Sequence, residues 1–360
     1  MQTNQPAKTN APVLGVESSC DETGVAVVAS DGVILANHLY SQLDEHALYG
    51  GVVPEIAARA HLDRLDPMIA AALKEAGLEV RDLGGVAAAC GPGLIGGLMV
   101  GTMAAKTLSA LYGIPFVAVN HLEAHILTAR LATATKHEER LGFPYLTLLV
   151  SGGHSQLLLA RGVGDYELLG TTRDDALGEA FDKCARMLGL AYPGGPALEE
   201  TAGQCPDIGA ACERFPLPRP MLQHKTLDVS FSGLKTAVRE HIDVLETPDN
   251  LDIRDLAASF QQAVVDILAK RTRQAIRHCM QMNDRPPRAF VVCGGVAANG
   301  AIRDALTATA YEYDMPVHFP PLDLCADNGA MIAWAGLEQL QQGRSNSLDF
   351  APRPRWPLTG

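Results

Sequence analysis

Val13-Leu-Gly-Val-Glu17, Ser18-Ser-Cys-Asp-Glu-Thr23 and Gly24-Val-Ala-Val-Val-Ala29 decide the fold. Two short apolar runs flank a polar turn. Ser30-Asp31-Gly32 then turns the chain into a third run, Val33-Ile-Leu-Ala36. Apolar, β-branched runs of this length between tight polar turns read as strands joined in hairpins. The pattern returns later. Tyr145-Leu-Thr-Leu-Leu-Val150, the turn Ser151-Gly-Gly-His154, Ser155-Gln-Leu-Leu-Leu-Ala160, a turn over 162–165 and Tyr166-Glu-Leu-Leu-Gly170 repeat the order. A strand–turn–strand–turn–strand module at residue 13 and again at residue 145 predicts an α/β protein of two lobes with related topology.

Working outward, residues 54–78 carry helical periodicity through Ile56, Leu62, Leu65, Ile69 and Leu73. A strand over 85–90, a glycine-rich turn, a helix over 98–112, a strand over 116–119 and a further helix complete the first lobe, 13–131. Residues 1–12 read as a disordered tail and 132–142 as a polar linker. The second lobe, 143–326, carries a helical insertion over about 174–281, interrupted by Tyr192-Pro-Gly-Gly-Pro196 and a Pro-rich stretch over 215–232. A strand over 288–293 and another at 317–319 follow. The helix over about 327–341 is assigned back to the first lobe, and 342–360 reads as an irregular tail.

The 360 residues are 47% hydrophobic and 19% charged, the balance of a soluble globular protein, with a formal net charge of −12. That charge argues against a surface built to coat nucleic acid. Arg271, Arg273 and Arg277 offer one local basic face, against a solvated surface as the plain reading. The eight cysteines include no C-x-x-C pair and several sit in strand-like apolar runs, which is reduced, cytoplasmic usage. The polar N-terminus has no apolar core of a signal peptide. Val86–Ala105 is long and apolar enough to suggest a membrane span, but Gly91-Pro-Gly93 and Gly96-Gly97 break it into strand, turn and helix, so no membrane is expected.

Asn120-His-Leu-Glu-Ala-His125 places two histidines four apart, on one face of a helix, as two nitrogen donors for one metal ion. Such a site needs a carboxylate to complete it. Asp323 and Asp327 both precede the last helix, and spacing alone does not choose between them. Glu123 lies on nearly the opposite helix face from the histidines, which removes a zinc-protease reading. Gly91-Pro-Gly-Leu-Ile-Gly96 fits a dinucleotide fingerprint, yet the next strand ends in Val119-Asn120-His121 without the acid that would hold a ribose. Close strand–helix packing explains it better. Ser151-Gly152-Gly153-His154 can wrap backbone N–H groups around an anion, and Asp21-Glu22-Thr23 occupies the matching turn of the first lobe. Gly294-Gly295 is a third strand-to-helix turn suited to an anion, and Asn299 beyond it can meet an adenine or ribose edge.

Taken in order, Gly15–Thr23, Asn120–His125, Leu149–His154, Gly178-Glu-Ala-Phe-Asp182-Lys, Tyr192–Pro196, Phe231-Ser-Gly-Leu-Lys235, Gly294–Asn299 and Cys325-Ala-Asp-Asn-Gly329 resemble the bacterial TsaD/Gcp family, the tRNA adenosine threonylcarbamoyltransferases. The resemblance covers roughly residues 13–340. The chain departs from the family pattern in its N-terminal extension, a longer segment near 132–142, and an Ala in the histidine motif. The resemblance implies an actin-like, sugar-kinase-like ATPase (ASKHA) fold with two lobes around a central cleft. It implies transfer of a threonylcarbamoyl group from L-threonylcarbamoyl adenylate to N6 of adenosine 37 in tRNAs reading codons that begin with A. By motif, His121, His125 and Asp327 correspond to ligands of one divalent metal ion, iron or zinc. Leu149, Val150, Ser151, Gly152, Gly153, Asp182, Gly195 and Asn299 correspond to positions that bind the adenylate, with Glu199 near a further contact. Asp21 and Glu22 are the candidates for the base that assists the weakly nucleophilic amine. Implied partners are tRNA, a TsaB-like paralogous subunit and a TsaE-like small ATPase. An ATP-dependent small-molecule kinase of the same fold, which has no need of the histidine pair, and a non-catalytic partner subunit are the competing readings.

Overall fold

The computed structural model describes residues 10–47, 49, 51–131, 140–245, 247–282 and 285–359. Most of the expected N-terminal tail and of the expected linker lies outside them. The chain divides into two compact units. The first comprises Met1–Leu141, Val163–Asp165 and Pro320–Gly360; the second comprises Gly142–Gly162 and Tyr166–Phe319.

The first run of chain carries β1 (Val13–Glu17), β2 (Glu22–Val28), β3 (Ile34–Ser41), α1 (Leu43–Ala47), α2 (Pro54–Ala76), β4 (Gly85–Gly91), α3 (Ile95–Tyr112), β5 (Phe116–Asn120) and α4 (His121–Thr128). Then come β6 (Tyr145–Val150), β7 (Ser155–Gly162), β8 (Asp165–Thr171), α5 (Leu177–Met187), α6 (Gly194–Gly203), α7 (Ile208–Arg214), α8 (Ser232–Leu245), α9 (Asn250–Gln281), β9 (Phe290–Cys293), α10 (Gly300–Tyr311) and β10 (Val317–His318). The last element is α11 (Gly329–Gln341). The two sheets have the same connectivity. One runs β3-β2-β1-β4-β5, the other β8-β7-β6-β9-β10. In each, the first strand pairs antiparallel with the second and parallel with the fourth. The duplicated module read from the sequence is therefore a duplicated topology.

Alternation along the strands sorts the first unit into layers. Leu14 and Val16 of β1, Val25 and Val27 of β2, and Val86 and Ala88 of β4 point to one face, against Leu65, Ile69 and Leu73 of α2 and Ala105 of α3. The opposite face is covered by α11. Eleven of the thirteen residues of α11 are buried, and a helix that is apolar all round belongs inside a core. Its backbone lies directly on β1 and β2. A Cβ on Gly24 would stand 2.6 Å from the Gly329 nitrogen, and one on Gly15 would collide with Ala333 N and Gly329 O. The helix can sit this low only because these positions carry no side chain.

Beyond α11 the chain has little regular structure but is held to the first unit. Asn346 N donates to Phe116 O at 2.8 Å, and the Asn346 side chain accepts from Ala118 N at 2.9 Å. Arg353 N donates to Cys90 O at 2.7 Å, Gly93 N donates to Pro354 O at 3.2 Å, and Asn120 Nδ2 donates to Trp356 O at 3.0 Å.

The seating of α11 is open to test. Gly15→Val pushes a branched side chain into helix backbone, and overpacking of this kind costs about 1–3 kcal/mol or more. Thermal unfolding is expected to show a lowered midpoint, while Gly203→Ala, where nothing lies within 4 Å of the added carbon, leaves it unchanged or raised. Equal midpoints for the Gly15→Val variant and the parent would refute the close-packing account.

Candidate active site

The histidine pair sits where a buried strand becomes a helix. Asn120 ends β5 in extended conformation and caps α4, its side-chain oxygen accepting from Leu122 N at 2.9 Å. The cap starts the helix at His121, so the spacing of four puts both rings on one face. The rings meet edge to face, centroids 4.8 Å apart, and both are buried. Asp327 arrives from the far end of the chain. Asn328 caps α11 through Met331 N at 2.9 Å, and the preceding Asp327 carboxylate reaches the histidines. Its Oδ1 lies 3.0 Å from His125 Nε2 and 3.4 Å from His121 Nε2. Asp323 is exposed in the turn before it; the geometry chooses Asp327.

These spacings suit a shared ion. Two donors each about 2.1 Å from one metal stand roughly 3.0–3.4 Å apart. Two imidazoles and one carboxylate form a donor set that fits zinc or ferrous iron. The donor atoms of His121, His125 and Asp327 all lie within 4.8 Å of one another. The sequence reading missed a fourth participant. Glu17, at the end of β1, is fully buried, and its Oε2 lies 3.0 Å from His121 Nδ1. A carboxylate on the other ring nitrogen fixes a ligating histidine in orientation and tautomer, leaving Nε2 for the metal. The only signal was a glutamate closing an otherwise apolar strand. Burial opposes a charged His121 imidazole, but the Asp327 and Glu17 carboxylates outweigh it and hold the ring well above the usual histidine range. Burial likewise opposes the Asp327 carboxylate, and His121 and His125 nonetheless hold it well below its usual range. The positive charge that the proton supplies here is the charge that a cation would bring in its place.

The turn between β1 and β2 lies against this cluster. Ser19 Oγ is 3.1 Å from His121 Nδ1, and Ser19 N donates to Glu17 Oε1 at 2.6 Å. Asp21 is buried and Glu22 half-buried. Burial, then the Asp327 and Asp21 carboxylates, push Glu22 well above the usual carboxylate range. Glu123 has structural work instead. Gly164 N and Gln339 Nε2 donate to its two oxygens at 2.7 and 3.0 Å.

In the second unit, the nine positions expected to bind the adenylate lie at the end of β6 and in its turn, on α5 and α6, and at the start of α10. Leu149 and Val150 end β6 and are buried. Ser151 closes its turn on His154, N to O at 2.8 Å, while Gly152 and Gly153 are exposed with open space where side chains would stand. The Gly178 amide donates to Ser151 O at 3.1 Å, which ties α5 to that turn. Asp182 Oδ1 accepts from Gly194 N at 2.9 Å, Gly195 is open, and Glu199 Oε1 accepts from Gly300 N at 2.7 Å. Asn299 caps α10 through Ile302 N and donates to Gln261 Oε1, both at 3.0 Å. Its amide thus engages the protein at both ends and orients the α10 amino terminus.

The turn Gly91–Gly96 is filled by protein, since a Cβ on Gly93 would stand 2.6 Å from Ser19 O and one on Gly91 would collide with Arg353 O. The turn is closely packed, as its sequence predicts. The basic face from Arg271, Arg273 and Arg277 does not form. At 100° per residue, positions two apart point about 160° away from each other. Arg271 is buried and donates to the carbonyls of Met221 and His224, Arg273 pairs with Glu312, and Arg277 donates to the Tyr313 hydroxyl. Lys235 is paired with Asp175 at 3.5 Å.

The family model described as TsaD, tRNA N6-adenosine threonylcarbamoyltransferase, matches residues 33–334. The chain belongs to that family. Relatives carrying the same name include one from Methylobacterium nodulans, 55% identical over 96% of this chain and 97% of its own length. Another, from Methylocapsa acidiphila, is 56% identical over 96% of each. One from Bartonella tribocorum is 53% identical over 96% of this chain and 95% of its own. Among solved structures, HypF of T. kodakarensis superposes with a TM-score of 0.59 at 14% identity, covering 94% of this chain and 48% of that one. Component A of (R)-2-hydroxyglutaryl-CoA dehydratase from Acidaminococcus fermentans gives 0.51 at 14%, covering 92% and 98%. At such identity these likenesses show the fold alone, an α/β architecture of the actin-like, sugar-kinase-like kind.

The contact of Glu17 with His121 yields a measurable expectation. Outer partners of metal-bound histidine are worth about 10–100-fold in affinity. Glu17→Gln is expected to weaken zinc binding by that factor, read by competition with a chromophoric chelator. Unchanged affinity would remove Glu17 from the site.

Proposed function

We propose that this chain transfers the threonylcarbamoyl group of L-threonylcarbamoyl adenylate to N6 of adenosine 37 in tRNAs reading codons that begin with A, releasing AMP. The observation that carries the proposal is the His121–His125–Asp327 cluster in a chain of this family. A small-molecule kinase of the same fold has no use for such a cluster, and the family match does not favour it or a non-catalytic subunit.

His121, His125 and Asp327 would hold one divalent ion, iron or zinc, which supplies Lewis-acid binding and polarisation of the group being transferred. In the second unit, the exposed N–H groups of Gly152 and Gly153 suit the phosphate of the adenylate. The carboxylates of Asp182 and Glu199 are acceptors for ribose hydroxyls. In the reaction, N6 bonds to the carbamoyl carbon, the bond from that carbon to the phosphate oxygen breaks, and AMP leaves with the electron pair. N6 must lose a proton. Asp21 and Glu22 are the acceptors we assign.

A chain of net charge −12, with Arg271 buried and Arg273 paired to Glu312, supplies little of the phosphate-neutralising surface that tRNA needs. We therefore assign tRNA binding to a complex with a TsaB-like paralogue and a TsaE-like ATPase. The apolar groove of about 360 Å³ between α2 and α3, rimmed by the exposed Leu62, Met99 and Met103, is a surface suited to a protein partner. Among the described residues no helix is long and apolar enough to cross a membrane. No disulfide links cysteines there. Both fit work on tRNA in the cytoplasm.

The test incubates the chain with the adenylate, both partners and unmodified tRNA, and follows adenosine 37 by mass. Gain of one threonylcarbamoyl group is expected. Replacing Asp21 with Asn and Glu22 with Gln together is expected to slow transfer by at least about 100-fold with adenylate binding retained. ATP-dependent phosphorylation of a small molecule, with no nucleoside product, would transfer the assignment to the kinase reading.

A further inference from the structure

The acidic turn rests on a buried chain of hydrogen bonds that the chemistry above does not use. His46, Gln42, His61 and Thr23 are all fully buried in the first unit. His61 Nε2 lies 3.1 Å from the Cys20 carbonyl. A carbonyl only accepts, so Nε2 carries the hydrogen and Nδ1 is the acceptor in the neutral ring. Two donors meet that Nδ1, Thr23 Oγ1 at 2.8 Å and Gln42 Nε2 at 3.3 Å. The Gln42 amide is oriented in turn. Its nitrogen also faces the Ala57 carbonyl at 3.5 Å, and its oxygen takes His46 Nε2 at 3.2 Å. His46 Nδ1 accepts from Val53 N at 3.3 Å. The polarity therefore runs one way, from the Val53 amide through His46, Gln42 and His61 to the Cys20 carbonyl, with backbone groups fixing both ends. Burial lowers His61 below the usual histidine range, in keeping with a neutral ring.

The far end of the chain is the turn that carries Asp21 and Glu22. Its other attachments are directional. Ser18 Oγ donates to Gly97 O at 2.9 Å, Leu94 N donates to Ser19 O at 2.7 Å, and Gln42 N donates to Asp21 O at 3.1 Å. Cys20, the residue between the anchored serines and the two acids, is held at its carbonyl by His61. We propose that His61 is a positioning residue for the transfer reaction: it fixes the Cys20–Glu22 turn in one conformation against His121, and Gln42 and His46 set the tautomer that this hold requires. The assignment rests on the function proposed above, because it gives that turn its purpose.

Cys20 is half-exposed and reports on the turn without any reaction. The experiment compares the full-length protein with His61→Leu, His61→Gln and Gln42→Leu. N-ethylmaleimide labelling of Cys20 is read by peptide mass, with Cys205 and Cys212 as internal controls, beside metal content and single-turnover transfer to tRNA. Loss of a buried hydrogen bond predicts that His61→Leu speeds Cys20 labelling about 5- to 30-fold, with the controls unmoved. Misplacement of catalytic groups predicts a kcat roughly 10–100-fold lower, with KM and metal content unchanged. His61→Gln, whose amide nitrogen can still reach the Cys20 carbonyl, is expected to restore both readouts towards the parent. If His61→Leu does not fold, Gln42→Leu carries the same test with a smaller shift in the same direction. Cys20 labelling at the parental rate in a folded variant overturns the proposal, and so does a parental kcat. If the parent transfers nothing, the function reading fails, while the labelling still decides whether His61 holds the turn.

Discussion

The structure of the first unit depends on one close contact, the backbone of α11 seated on β1 and β2. Gly15, Gly24 and Gly329 remove the side chains that would lift the helix away. Asp327 precedes that helix by two residues, so the height of α11 above the sheet sets the distance from its carboxylate to the histidines. The histidines are placed by a second junction, where Asn120 caps α4 at the end of β5. A strand-to-helix junction and the turn before a second helix, 202 residues apart in sequence for His125 and Asp327, are thus brought to a separation of 3.0 Å by packing alone. A sheet with glycine on its helix-facing side costs some strand stability. Here that cost positions a functional carboxylate.

The electrostatics follow from the same seating. The Glu17 and Asp327 carboxylates flank the buried His121 imidazole, and Glu22, in the turn beside them, feels the charges of Asp327 and Asp21. Like charges at such range are unfavourable unless a cation or a proton offsets them. Burial and the neighbouring carboxylates raise Glu22 well above the usual carboxylate range, and against the effect of burial Asp327 and Glu17 hold His121 well above the usual histidine range. A divalent ion at the cluster would relieve the same repulsion and would leave Glu22 better able to ionise.

Much of this was legible in the sequence because it depends on local spacing. The duplicated strand module showed in the polar turns at Ser18–Thr23 and Ser151–His154, and the topology repeats as that pattern implies. The histidine pair followed from a spacing of four on a helix. Long-range choices were not legible. Nothing local separates Asp327 from Asp323, and the difference is the turn that exposes one and buries the other's neighbour, Asn328. Glu17 reads as a strand terminus until β1 lies beside α4. The basic stripe failed because Arg271, taken as surface, points inward and clamps the Met221 and His224 carbonyls. Leu62 belongs to the apolar rhythm of α2 yet lies outside its buried stripe, and its exposure becomes meaningful only beside Met99 and Met103.

On this reading a metal ion sits on His121, His125 and Asp327 and on no sulfur. X-ray absorption at the metal edge of the purified, metal-loaded protein measures this directly. The account predicts a nitrogen and oxygen shell at about 2.0–2.2 Å containing two imidazoles. A sulfur shell at about 2.3 Å, or an imidazole signal that survives His121→Ala together with His125→Ala, would contradict it.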